Sequence, residues 1–582
     1  MMLRPLAGES THLTPSASVR FKISLRRILI LVACAAIFLS PFTYIGNYAG
    51  DSQVHLVYGE NAAQGRFFEF NPGEKSPGVT SPGYMLMIAS FFKIAPDNLV
   101  PAMVKVMNLL IWYGLLITVF LIARRLMESN AWAFVVALVA GLLPGSVYNS
   151  TIGMENGIFA FLVFLWVYLA VRDGWFTTSD SSSERIKYEL VMGGLMGLAC
   201  WIRPEGFIVA AIALSYRALM SMGSRSSVSS TIVRSAAFLV TFSILAALLG
   251  YFHYSQTGYL VPTSGVSRIL MSRIASDSFE LGPIFVSIKF AVRLAQYFPL
   301  TILWLVGNWV LIKGLGVSKE SNGALGFLAV LSWSGFILYS TIFGAVHLSR
   351  YVIFIMPAMV LVAVHAAKWL WSLDLPKSQP LPNNVLRGTL VVLAIALGGV
   401  FLVETDLRTR LDSQASLWKS MRAPSQRENF SDQLFQLLGQ PQELPISVAM
   451  QEVQARYWLD DRFVVRSLDG RVDPALLKYV DNDRFDHVGY IRERKVRFLL
   501  DTPNYNRDKD LWSLDRLNEL QPGEDLSRDG LTFSSLPVES ARQANTADSP
   551  STNSRWTAKT DSAAALRFFV VKLIRIDHGE TE

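Results

Sequence analysis

Half of this 582-residue chain is apolar, only 17% is charged, and the mean hydropathy is +0.33, which excludes a soluble core as the home of its larger part. The net charge of +7 would suggest nucleic acid in a soluble protein, but in so apolar a chain the basic residues are accounted for by membrane orientation. Cys34 and Cys200 both fall in apolar runs, so neither a disulfide framework nor a thiolate metal site is suggested.

Arg20, Lys22, Arg26 and Arg27 precede an apolar run from Ile28 to Ile45. The layout is that of a signal peptide, yet no convincing small-residue cleavage site follows and the run is long enough to span, so an uncleaved first helix is expected. Further spans are expected at 100–123, 131–149, 157–171, 231–252, 297–313, 324–343, 351–371 and 388–403. The stretch 189–219 holds Arg203, Pro204 and Glu205 at its middle. A single helix would put two charges near the bilayer centre at about 2.5 to 3.5 kcal/mol each. A hairpin turning at Pro204 brings them to an interface, with halves of about 21 Å. With a cytoplasmic N-terminus Arg124, Arg125, Arg172, Arg185 and Lys187 fall inside, and the hairpin also places Arg217, Arg225, Arg234, Lys313, Lys319, Lys368, Lys377 and Arg387 on that side. The expectation is a polytopic α-helical membrane protein of about eleven transmembrane helices with a cytoplasmic N-terminus.

That topology gathers the polar stretches on the outer face. They are the first loop (46–99), the turn "TIGMENG" around Glu155, the turn "WIRPEG", the segment from Tyr254 to Arg268, and "GAVHLSRY" before Tyr351. Inside the loop, "YMLMIASFFKI" from Tyr84 is too short to span and reads as an interfacial or re-entrant helix, as does a second piece from Ile284 to Gln296. Beyond a transmembrane domain of residues 1–403, the composition turns charged and mixed. Short β-rich runs start at Ile446, Arg462, Val496 and Leu566, with helical stretches such as "DPALLKYV" between them. A soluble extracytoplasmic α/β or α+β domain over 404–582 is expected. The stretch from Arg542 reads as a polar loop.

Asp51 directly follows the first helix, where a carboxylate can meet a lipid-borne reactant. It can serve as general base toward an alcohol or hold a divalent cation, Mg or Mn. His55 lies four residues on and shares a face with Asp51 if the segment is helical. His347 stands three before Arg350, and no metal-ligand spacing such as HExxH appears.

The run from Asp51 through Tyr58, Asn61, Ala63 and Gly65 to "FNPGEKSPGVTSPGYM" resembles the first-loop pattern of bacterial GT-C membrane glycosyltransferases, the arabinofuranosyltransferase-like and protein-mannosyltransferase-like enzymes among them. "GMENGIF", "WIRPEG", "GYLVPTSGVSR", "SRYVIFIMP" and, in the tail, "ISVAMQEVQARYWLDDRFVVRSLDGRVD" resemble later segments of that superfamily in the same order. The match departs at Gly50, where the family usually has the first of two acids, and at Val57, where it has an arginine.

The resemblance implies transfer of a sugar from a polyprenyl-phosphate donor to an envelope polysaccharide, glycolipid or protein at the outer face of a bacterial cytoplasmic membrane, by inverting displacement. It implies Asp51 as base. Arg268 and Arg350 would hold the leaving phosphate, with Glu155, His55, Tyr58, Arg203 and Glu205 as further substrate-binding candidates. Arg203 and Glu205 read first as a mutual structural lock, and Glu155 as a second carboxylate assisting a metal or the acceptor. Membrane lipid is a partner; nucleic acid is not. A non-catalytic scaffold, for which Gly50 argues, and a transporter or flippase are the other readings.

Overall fold

A computed structural model describes residues 25–43, 50–143, 147, 151–176, 183–222, 228–267, 298–315, 319–341, 354–373, 425–450, 453–468, 470, 472–481, 484–500, 520–521, 523–528, 531–536 and 573–578. The expected helix at 388–403, the interfacial piece from Ile284 and the polar stretch from Arg542 lie outside these residues.

Helices follow the apolar runs. Leu25–Leu39, continued by a 3-10 turn at Ser40–Thr43, is followed by Val100–Met127, Asn130–Leu142, Asn156–Arg172, Ser183–Ile202, Glu205–Met222, Val228–Thr257, Phe298–Ile312, Lys319–Thr341 and Met356–Ser372. Among the described residues Val100–Met127, Ser230–Thr257 and Ser321–Leu338 are long and apolar enough to cross a membrane, and shorter apolar helices accompany them. The architecture fits a polytopic membrane protein. Its interior is built on Trp112, Phe159, Phe164, Trp166, Trp304 and Phe327.

The 189–219 stretch is a hairpin. Pro204 offers no N–H to continue the first helix, while Arg203 N still reaches the Ala199 carbonyl at 2.9 Å and Gly206 N the Arg203 carbonyl at 3.0 Å. A Cβ on Gly206 would stand 2.8 Å from Cys200 N, so only glycine lets the two helices meet this closely.

Both halves are longer than expected, 20 and 18 residues, or about 30 and 27 Å at 1.5 Å per residue. The turns added to the first half, residues 183–188, carry Glu184, Arg185 and Lys187, which end the apolar run. Glu189, at the edge of the expected stretch, is fully buried between Arg217 Nη2 at 2.9 Å and Arg234 Nη2 at 2.7 Å, and accepts from Trp175 Nε1 at 2.9 Å. Partners from two other helices keep it inside.

The first loop is more ordered than its polarity suggests. A helix, Gly50–Ala63, opens it; β1 (Glu69–Asn71) and β2 (Glu74–Lys75) pair across a turn at Pro72 and Gly73, where Gly73 takes φ 78°; Pro82–Ile94 is the expected short helix. The Gly50–Ala63 helix shows no one-sided apolar stripe because it is packed on several faces: Leu56, Val57 and Ala62 are buried, and so are Ser52, Gln53 and His55.

In the last third, β3 (Ile446–Met450) lies between β4 (Phe463–Ser467) and a third parallel strand, Phe498–Leu499, after a small hairpin of β5 (Val480–Asp481) and β6 (Arg484–Phe485). With Phe498–Leu499 as β7, the sheet continues antiparallel through β10 (Ile574–His578) and β9 (Leu531–Ser535) to β8 (Asp525–Arg528), in the order β4-β3-β7-β10-β9-β8. "DPALLKYV" supplies a 3-10 turn, Pro474–Lys478, capped by Asp473. Alternation splits β3: Ile446, Val448 and Met450 face one core and Ala449 the other. The first of these cores also contains Val57, Tyr58, Phe68, Phe70 and Met85. The opening loop and the sheet therefore share one hydrophobic interior, each large side chain contributing about 2 kcal/mol.

Candidate functional site

Five parts of the chain separated in sequence meet around one cavity of about 220 Å³ at the helix ends. Asp51, His55 and Tyr58 come from the Gly50–Ala63 helix, and Val79 and Thr80 from the approach to the next. Glu155 stands at the N-cap position of Asn156–Arg172, and Arg203, Pro204 and Glu205 form the hairpin turn. Ser264 and Gly265 follow the Val228–Thr257 helix, while Val453 and Val472 reach in from the sheet region. Three helix N-termini thus border the cavity, each with an acid in or beside its first turn.

Arg203 is the hub. Its Nη1 lies 2.9 Å from Glu155 Oε1 and also donates to the Asn156 side-chain oxygen; Nη2 and Nε reach the two oxygens of Glu205 at 2.6 and 3.2 Å. All four residues are buried. The second oxygen of Glu155 lies 3.0 Å from His55 Nε2. Burial opposes ionisation of Glu155, but the neighbouring His55 and Arg203 outweigh it and hold the carboxyl at about 2. The His55 ring packs edge-on against Tyr84, whose hydroxyl donates to the Gly153 carbonyl at 2.9 Å and accepts from Asn108. Ser52 Oγ donates to the Ile152 carbonyl at 2.6 Å. The first loop is thereby fastened to the "TIGMENG" turn.

The other wall is tied to the sheet. Tyr58 OH lies 2.6 Å from Ser76 Oγ, and Ser76 in turn donates to the Val472 carbonyl. Burial pushes the Tyr58 hydroxyl upward, so it stays a neutral phenol. Arg466 clamps both oxygens of Glu74 at 2.6 and 2.8 Å. Thr263 N donates to the Pro77 carbonyl at 3.0 Å, drawing the segment before Arg268 to the same place.

The structure therefore brings together Asp51, His55, Tyr58, Glu155, Arg203 and Glu205. Asp51 is half-buried on the cavity wall. Arg268, Arg350 and His347 lie outside the described residues. Asn156, Ser76, Val453 and Val472 went unmarked in the sequence, although all four stand inside the quoted stretches; nothing in their residue types signals a site. Glu155 Oε1 and both oxygens of Glu205 accept from Arg203, and Glu155 Oε2 lies 3.0 Å from His55 Nε2. Among the described residues no three His, Cys, Asp or Glu side chains gather to hold a metal. The two glutamates are organised around an arginine and do not fit a divalent-cation ligand set.

No family model matches this chain, and no curated protein matches it. Solved structures do. An oligosaccharyltransferase from Archaeoglobus fulgidus, in complex with Zn and sulfate, is 13% identical over 81% of this chain and 67% of its own, with a TM-score of 0.47. The oligosaccharyltransferase AglB of the same organism, with an inhibitory peptide and a dolichol-phosphate, is 11% identical over 81% and 69%, at 0.43. ArnT from Cupriavidus metallidurans, bound to undecaprenyl phosphate, is 13% identical over 82% and 96%, at 0.42.

Proposed function

We propose that the chain is a GT-C-type membrane glycosyltransferase that moves a sugar from a polyprenyl phosphate to an envelope acceptor at the outer face of the cytoplasmic membrane. The observation that carries this reading is the convergence of the first-loop, "GMENGIF", "WIRPEG" and "GYLVPTSGVSR" segments on one cavity at the helix ends. Segments that resemble one enzyme superfamily in order along the chain are adjacent in space, as parts of one site must be.

The cavity suits the chemistry. A lipid phosphate arrives at the membrane surface with its tail among helices, and the bordering helix N-termini favour an anion there. Asp51 accepts the acceptor proton as the new bond to carbon forms. An aspartate of ordinary pKa, about 3.9, cannot deprotonate an alcohol beforehand. Arg203, embraced by two glutamates, is the rigid brace that sets the turns, while Arg268 and Arg350 are the cations for the leaving phosphate. Residues 404–582 form an extracytoplasmic domain, whose Val453 and Val472 complete the cavity wall and which positions the acceptor.

The test is transfer by the purified protein from radiolabelled polyprenyl-phosphate sugars to envelope-derived acceptors, wild type beside Asp51→Asn. Turnover lost in the variant, with membrane insertion retained, is the expected result. A second reading, a non-catalytic glycan-binding scaffold, is favoured by Gly50 in place of an acid. It would take over if no donor that demonstrably binds is turned over.

A further inference from the structure

Glu155 and His55 form a carboxylate–imidazole pair at the cavity wall, one helical turn from Asp51. A carboxylate at this pH accepts hydrogen bonds and donates none, so the His55 Nε2 that lies 3.0 Å from Glu155 is the protonated nitrogen. Nδ1 is then the ring's acceptor. It is buried and has no hydrogen-bond partner among the described residues, on a residue that borders the cavity. Asp51 and His55 sit at i and i+4 of one helix, the spacing that stacks side chains on one face.

We propose that His55, oriented by Glu155, takes up the acceptor proton that Asp51 draws from the hydroxyl; this rests on the transferase reading. The acceptor O–H bond breaks and its proton passes by way of Asp51 to the lone pair on His55 Nδ1. The acceptor oxygen bonds to the sugar C1 while the C1–O bond to phosphate breaks, its electron pair remaining on the phosphate oxygen. The proton then leaves on the released polyprenyl phosphate, a monoester that rebinds a proton near pH ~6. Imidazole is a stronger base than carboxylate, so this step empties Asp51 for another cycle.

The groups around the ring are compatible. Glu155, with Arg203 and Glu205 behind it, faces Nε2, and Tyr84 meets the ring edge from the Pro82–Ile94 helix. On other elements packed against this helix, Glu69 pairs with Lys75, and Arg456 bonds the Leu459 carbonyl and Asp461. Glu155 is a positioning residue; His55 is the proton carrier.

The experiment compares pH–rate profiles of the full-length protein in lipid for wild type, His55→Gln and Glu155→Gln, alongside nitrogen NMR of labelled histidine in the same samples. The expected result has three parts: an acid limb in the wild type, about a hundredfold slower turnover without that limb in His55→Gln, and a limb moved to lower pH in Glu155→Gln. The NMR tautomer should be Nε2–H in the wild type whether or not any donor is turned over. A His55→Gln rate that is unchanged, or lowered with the pH profile intact, overturns the proposal. So does an Nδ1–H tautomer. Absence of turnover with the Nε2–H tautomer present would count against the transferase reading and, with it, the proton route, while leaving the pair itself established.

Discussion

The side-chain amide of Asn71 pairs with the backbone of Val465 as a strand would, donating to its carbonyl at 2.9 Å and accepting from its N–H at 2.9 Å. These residues are 394 positions apart, and the pair joins the first loop to the edge of the six-stranded sheet. Asn71→Ala leaves two buried backbone groups of β4 unsatisfied, at about 1 to 3 kcal/mol each. Limited proteolysis of the folded variant should cut the chain between the helical part and the sheet faster than in wild type, with a lowered melting temperature.

Glu189 holds two arginines in a buried site between three helices. Glu189→Ala strands both guanidinium groups, which costs about 3 to 5 kcal/mol for a broken buried pair. Thermal unfolding in detergent should show the loss, and a Glu189→Gln variant, which keeps an acceptor for Trp175 Nε1 but not the charge, should fall between.

Against the opposing effect of burial, His55 and Arg203 hold the Glu155 carboxyl below its ordinary 4.5 when folded, at about 2. The sign follows: a depressed carboxyl stabilises the fold above pH ~4.5, and that contribution is lost as pH falls toward 2. Wild-type melting temperature should therefore drop between pH 5 and pH 3 more steeply than that of Glu155→Gln, measured in the same detergent. Equal slopes would mean that the carboxyl is not held by its partners.

The chelator test concerns the acids as a set. Since the oxygens of Glu155 and Glu205 are engaged by His55 and Arg203, EDTA should leave transfer within about twofold of its untreated rate, against the hundredfold or larger loss typical when a catalytic group is removed. A collapse restored by Mg or Mn would show that the cluster rearranges around a cation.

Removal of Asp51 is the most direct challenge to the site. Asp51→Asn keeps shape and hydrogen bonding but cannot accept a proton as a carboxylate does, so turnover should fall by at least about a hundredfold while donor binding persists, as read by equilibrium binding of a labelled polyprenyl-phosphate sugar.

Much of the helical part was legible in the chain. Long apolar runs report themselves because a span must satisfy its backbone internally and hide no charge, and Pro204 between two charges marks a turn for the same reason. The Gly50–Ala63 helix was not legible, since a helix packed on several faces, with Ser52, Gln53 and His55 inside, carries no single apolar stripe. Nor was the length of the Ser183–Ile202 helix, because its added residues 183–188 carry Glu184, Arg185 and Lys187 and so break the apolar run.

What the sequence by itself determined was the membrane class of the chain and the turns that carry its polar motifs, both consequences of local composition and hydrophobicity. Only tertiary structure decided which side chains touch. Arg203 could have paired with Glu205 alone; the fold adds Glu155, and through it His55, one turn from Asp51. Such partnerships depend on distances between segments far apart in the chain, 48 residues for Arg203 and Glu155, and no local preference of either segment encodes them.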